Sequence, residues 1–127
     1  MSPKATLYDW SKLPSERLRG NITRRFITSA AVMVGEVRLK EGDKVPSHAH
    51  PNEQFTHVVE GALKFRFGDP DAGDPGIEEI VVRAGSIVVI PPNLPHSVEA
   101  LEDTLEFDIF NPPRQDWIDP DSGFLRG

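Results

Sequence analysis

The chain has 127 residues, 38% of them hydrophobic and 27% charged, which suits one soluble domain with one core. A formal net charge of −6 and a pI near 5.1 argue against nucleic acid and anionic lipid as partners, because such a surface repels both. There is no cysteine, so disulfides, iron–sulfur clusters and thiol catalysis are excluded, and any metal must sit on nitrogen or oxygen.

Residues 1–20, with Pro3, Pro14 and a basic stretch ending at Gly20, read as an arm or edge segment suited to a dimer contact. The opening MSPKATLYDW lacks the apolar stretch of a signal peptide. No apolar run approaches the ~20 residues of a membrane span, so the cytoplasm is the expected location. From Ile22 to Thr28 and from Ala31 to Leu39, β-branched and apolar residues predict two strands, with Ser29-Ala30 as the turn. Lys40 to Asp43 is a turn, and prolines at 46 and 51 forbid a helix in the segment that follows.

Phe55 to Val59 reads as a strand and Glu60-Gly61 as a tight turn. Leu63, Phe65 and Phe67 alternate with Lys64 and Arg66, the pattern of a half-buried strand. GDPDAGDPG at 68–76 is a hairpin tip whose aspartates lack the spacing of a calcium loop. Further strands are expected over Ile80 to Arg83, Ile87 to Pro92, Ser97 to Leu101 and Leu105 to Phe110. About eight short strands broken by 12 prolines and 10 glycines predict an all-β barrel or jelly roll. The expected division is an arm over 1–20, the barrel over 21–112 and an irregular tail over 113–127.

His48 and His50 are two apart on an extended segment, so their side chains share a face. Gln54 follows after a proline, and His96 comes from a distant strand. Two histidines on one strand and a third from another suit a mononuclear metal site. His57 alternates away from Gln54 and reads as a surface or hydrogen-bonded histidine.

These residues carry a resemblance to the cupin superfamily. Its first motif is matched by Gly42, five residues, His48-Ala49-His50, three residues, Gln54, six residues and Gly61. Its second is matched by Gly85, five residues, Pro91-Pro92-Asn93, two residues, His96, three residues and Ala100. Both spacings hold without gaps. The resemblance implies a single-domain, RmlC-like jelly-roll barrel holding one divalent transition metal ion, zinc, nickel, iron or manganese, on His48, His50, Gln54 and His96. Three positions depart from the pattern. Gln54 stands where glutamate is usual, Asn93 replaces a turn glycine, and Ala100 replaces an asparagine. Neighbouring Glu53 is a rival ligand, but alternation and the step to Gly61 favour Gln54. A neutral amide leaves the ion's charge uncompensated, which suits a Lewis acid that polarises a carbonyl or steadies an enolate or carboxylate.

HSVEALEDTLEFDIFNPPRQDWI at 96–118 resembles the small cupins of pectin and alginate degradation, which open and ketonise unsaturated uronates. That resemblance implies an isomerase or tautomerase acting on a small anionic sugar acid. Asp108 would be the proton carrier and Arg114 would pair with the carboxylate. Phe110 would be a wall of the site. The pattern of residues 105–110 leaves two faces open. Leu105, Phe107 and Ile109 would turn inward by simple burial, whereas the resemblance implies Asp108 inside and an apolar outer face that predicts a homodimer.

Arg24 and Arg25 read as a solvated basic pair, with Arg24 a candidate substrate contact should it turn inward. Met33 and Phe26 read as core, with Met33 also a candidate pocket residue. Trp10 and Trp117 read as packing or interface residues. A metal-dependent dioxygenase and a non-catalytic small-molecule-binding cupin are the competing functions.

Overall fold

The computed structural model describes residues 2–69, 73 and 77–119. Most of the hairpin tip expected at 68–76 and the tail from 120 onward lie outside the described residues. Alternating side chains broken by turn residues resolve here into β1 (Glu16–Arg17), β2 (Thr23–Thr28), β3 (Met33–Leu39), β4 (Lys44–His48) and β5 (Glu53–Glu60). They continue as β6 (Ala62–Phe67), β7 (Glu78–Arg83), β8 (Ile87–Ile90), β9 (His96–Ala100) and β10 (Thr104–Asn111).

The strands form two antiparallel sheets, a six-stranded one ordered β1-β2-β3-β10-β5-β8 and a four-stranded one ordered β4-β9-β6-β7. This is a double-sheet jelly roll, in which the inward faces of both sheets make one core. Phe65, Leu63 and Val82 of the smaller sheet meet Val37, Val58 and Ile90 of the larger one in that core. Gly61 makes the tight turn between β5 and β6 at φ 89°. A Cβ there would lie 2.3 Å from the Asp103 carbonyl oxygen, so only glycine fits. No helix among the described residues is long and apolar enough to cross a membrane.

The segment expected to be irregular after residue 113 instead contains a one-turn helix, α1 (Gln115–Ile118). So short a helix has no periodicity to read, and packing alone holds it. Its Trp117 is buried, with ring centroids 5.0 Å from Phe110 and 6.0 Å from Phe26. The indole lies over Gly35 of β3, where a Cβ would come within 2.6 Å of it. Gly35→Ala is therefore expected to lower stability by about 1–3 kcal/mol through overpacking, read as a reduced midpoint in urea unfolding.

The arginine pair is not solvated. Adjacent strand residues point to opposite faces, so Arg24 turns inward, 3% exposed, with its Nε 2.7 Å from Glu16 Oε1 and its guanidinium 4.1 Å over the Trp117 ring. Arg25 turns outward, where it donates to Glu36 Oε1 at 3.0 Å and to the Trp10 carbonyl at 2.6 Å. Trp10 in turn packs against Phe107 at 5.6 Å. Both tryptophans thus pack within the chain.

On β10, Glu106, Asp108 and Phe110 face the interior and are buried, while Ile109 is 39% exposed. Outside, Ile109, Phe55 and Val89 lie in one cross-strand row, and Phe107, His57 and Ile87 in the next. Ile87 is 56% exposed and Val89 51%, so the outer face at the β8 edge is apolar and open.

Candidate metal centre

The three histidines meet because β4 pairs with β9, which sets His48 opposite His96. The register of the pair shifts between Val45 and His48, a bulge or irregularity next to the cluster. Asn93 takes the left-handed conformation that the turn needs, φ 66°, and its N–H donates to the His50 carbonyl at 2.8 Å. That bond ties the turn before His96 to the His48–His50 segment.

One ligand nitrogen from each of His48, His50 and His96 lies within 4.8 Å of the others, so these three residues can hold a metal ion. Every Nδ1 is already engaged by a backbone carbonyl two residues away: Pro46 at 2.9 Å, Asn52 at 3.1 Å and Leu94 at 2.9 Å. With Nδ1–H donating to these carbonyls, the Nε2 atoms are the ones left for a metal ion. Gln54 points inward from β5, with its Oε1 2.9 Å from His50 Nε2. The neighbouring Glu53 is exposed, and His57 faces outward, away from the cluster. Neutral imidazoles and an amide oxygen around one point form a donor set that fits a divalent transition metal.

Burial holds all three imidazoles neutral. It lowers the pKa of His48, that of His50 to about 4 and that of His96 to about 3; the charge of Arg114 acts in the same direction on all three, and neighbouring histidines do so on His50 and His96.

The cluster borders a cavity of about 60 Å³, room for a small ligand group beside an ion. A wider hollow of about 490 Å³ lies outside, and the two share His48, Arg114 and Asp116. Asp108 lines the inner cavity, directly opposite Thr56 in the sheet. Its Oδ1 accepts from Thr56 Oγ1 at 2.6 Å and more weakly from Gln54 Nε2 at 3.4 Å. Burial raises the Asp108 pKa, while the bonds from Thr56 and Glu106 and the charge of Arg114 oppose the rise.

Phe110 stands edge-on to His50 at 5.8 Å. Arg114, buried at the mouth, spans Asp116 with Nε at 2.9 Å and Nη2 at 2.5 Å. Arg24 lines the cavity too, held by Glu16. Met33 does not. It is fully buried outside the lining, because its place at the start of β3 puts it in the core beside Phe110.

Two acidic residues that sequence reasoning passed over belong here. Glu106 lies two positions before Asp108 on the same strand and so shares its face; that spacing was the available signal. Asp116 gave no signal, because its contact with Arg114 depends on a helix the sequence does not announce.

No curated protein matches the chain. Among solved structures it is similar to KdgF from Halomonas sp., with 23% identity, a TM-score of 0.77 and coverage of 90% of this chain and 99% of that one. An RmlC-like cupin from Shewanella frigidimarina shows 23% identity, a TM-score of 0.75 and coverage of 92% and 99%. Oxalate decarboxylase from Bacillus subtilis, which has Mn(II) centres, shows 22% identity and a TM-score of 0.72 over 86% of this chain and 31% of its own. At these identities the likeness is one of fold. The cupin domain family matches residues 35–110, and the chain belongs to it.

Proposed function

We propose that the protein is a metal-dependent isomerase or tautomerase that ketonises a small anionic sugar acid of the unsaturated uronate type. The observation that carries this reading is a buried carboxylate, Asp108, in the same cavity as His48, His96 and Gln54, with Arg114 at its mouth. A binding protein has no need of such a group beside its metal, and it is this carboxylate that favours catalysis over simple capture.

His48, His50, His96 and Gln54 would hold the ion, with zinc, nickel, iron and manganese all suited to the donor set. When bound, the ion supplies Lewis acidity toward hydroxyl and carbonyl oxygens of the sugar. Asp108 takes the proton from the enol oxygen and returns it to carbon, a transfer its raised pKa suits. Thr56 keeps Oδ1 fixed, so the carboxylate is aimed before substrate arrives. Arg114 gives two nitrogens to Asp116, and its Nη1 remains for the substrate carboxylate. Phe110 walls the ring. The resemblance of residues 96–118 to uronate-ketonising cupins supports the same substrate class.

Mixing metal-loaded protein with unsaturated galacturonate and following the double-bond absorbance tests the reading. Loss faster than in buffer is the expected result, and no acceleration removes this substrate.

The open apolar rows on the outer face suit a second copy of the chain, so the protein is expected to be a homodimer. Ile87→Arg should then give a monomer in sedimentation velocity; a monomeric wild type would overturn the dimer.

A further inference from the structure

The reaction above uses one buried carboxylate, but the cavity holds two. Glu106 is 6% exposed and lines the same space. Its cross-strand neighbours are Val37 on β3 and Val58 on β5, which offer it no polar side chain. Its Oε2 is buried without a hydrogen-bond partner among the described residues. Asp108 lies two residues along the same strand, on the same inward face and lining the same cavity, and it is the charged group that acts on Glu106. Arg114 acts on Asp108, and its own ion pair is with Asp116.

Two carboxylates in contact in a buried site cannot both be ionised, because each would face the other's charge without water to screen it. A buried carboxyl oxygen with no donor to accept from is satisfied when it carries the proton itself and donates it. Asp108 already accepts from Thr56 and Gln54, bonds that favour its ionised form. The proton therefore belongs on Glu106, the member of the pair with apolar neighbours.

We infer that Glu106 is a neutral carboxylic acid that donates a hydrogen bond to Asp108, and that it is a positioning residue for the proton transfer. The role, though not the hydrogen bond, rests on the uronate reading. In that reaction Asp108 accepts a proton from oxygen and gives it to carbon, while the proton on Glu106 stays where it is. The pair keeps a single negative charge before and after each turnover. Thr56 and Glu106 hold the aspartate from two sides, so its carboxylate cannot turn out of line with the substrate. Burial and the charge of Asp108 both raise the pKa of Glu106, in agreement with this assignment.

The test uses Glu106→Gln, whose amide can still donate to Asp108, and Glu106→Leu, which cannot. Infrared spectra of the metal-loaded wild type at neutral pH should show the carbonyl stretch of a protonated carboxylic acid, shifted by deuterium and missing from both variants. Absence of that band in the wild type, or its survival in Glu106→Gln, overturns the inference whether or not any uronate is turned over. With unsaturated galacturonate, Glu106→Gln should keep kcat within about 5-fold, and Glu106→Leu should lose about 100-fold with KM nearly unchanged. Equal turnover in wild type and Glu106→Leu overturns the positioning role and leaves the uronate reading standing. A wild type with the band but without turnover removes the uronate reading and leaves the hydrogen bond standing.

Discussion

Asp108→Asn is expected to lower kcat on unsaturated galacturonate by at least ~100-fold while the protein still carries its metal, because general acid–base groups contribute factors of that order. The amide has the shape of the carboxylate, and its oxygen can still accept from Thr56, so the cavity should keep its form. What it loses is the capacity to take a proton and release it. KM should change little, since Arg114 and the metal ligands remain, and elemental analysis should find the same metal content as in wild type. The variant should also fold at least as stably, because it removes one of two buried acidic groups that are costly to ionise. Unchanged turnover would exclude Asp108 as the proton carrier.

His96→Ala should weaken metal binding by more than about 100-fold, since even the loss of a residue that merely orients a ligand costs 10- to 100-fold. His96 is the histidine that β9 sets opposite His48, and without it only His48, His50 and Gln54 would be left to hold the ion. Isothermal titration of chelator-treated protein with zinc checks this; wild-type affinity in His96→Ala would show that the ion binds elsewhere.

The same measurement against pH has a defined sign. Protons compete with metal for an imidazole only below its pKa, which burial lowers to about 4 for His50 and about 3 for His96. Metal should therefore stay bound as pH falls through 6.5, where free histidines would release it, and leave only toward pH 4. The metal-free protein should lose stability over the same interval. There the unfolded chain takes up protons on these histidines and the folded chain refuses them; stability rises with pH wherever the unfolded state binds more protons, so it drops as the pH is lowered from about 6.5 toward 4.

Much of the metal centre was legible before any coordinates. The spacings from Gly42 to Gly61 and from Gly85 to Ala100 pick out the three histidines that the fold brings together and the glutamine beside them, and alternation separates Gln54 from Glu53. Spacing works there because a strand has period two and the turns admit few residues, Gly61 and Asn93 among them. Asp108 was harder. Alternation places it with Glu106 and Phe110 on one face but is silent on which face turns inward. In an interior that is apolar throughout, Phe107 and Ile109 would have won. Here the polar side chains of Gln54, Thr56 and Asp108 satisfy one another inside, and Phe107 is covered from outside by Trp10.

Arg24, Met33 and Trp117 lay beyond what one sequence can resolve. Met33 went to the core because it pairs with the buried Phe110 at the start of β3, and Arg24 turned inward because Glu16 and an indole wait for it there.

The order of turns and alternating strands, together with the positions of three histidines and one glutamine, was written in the chain itself, since local backbone preference and period-two geometry need no partner. The pairing of Glu106 with Asp108, the hold of Asp116 on Arg114 and the seat of Trp117 over Gly35 were decided only by the folded barrel. Each is a contact between side chains that hydrophobic pattern does not rank, settled by which neighbours the other elements bring within reach.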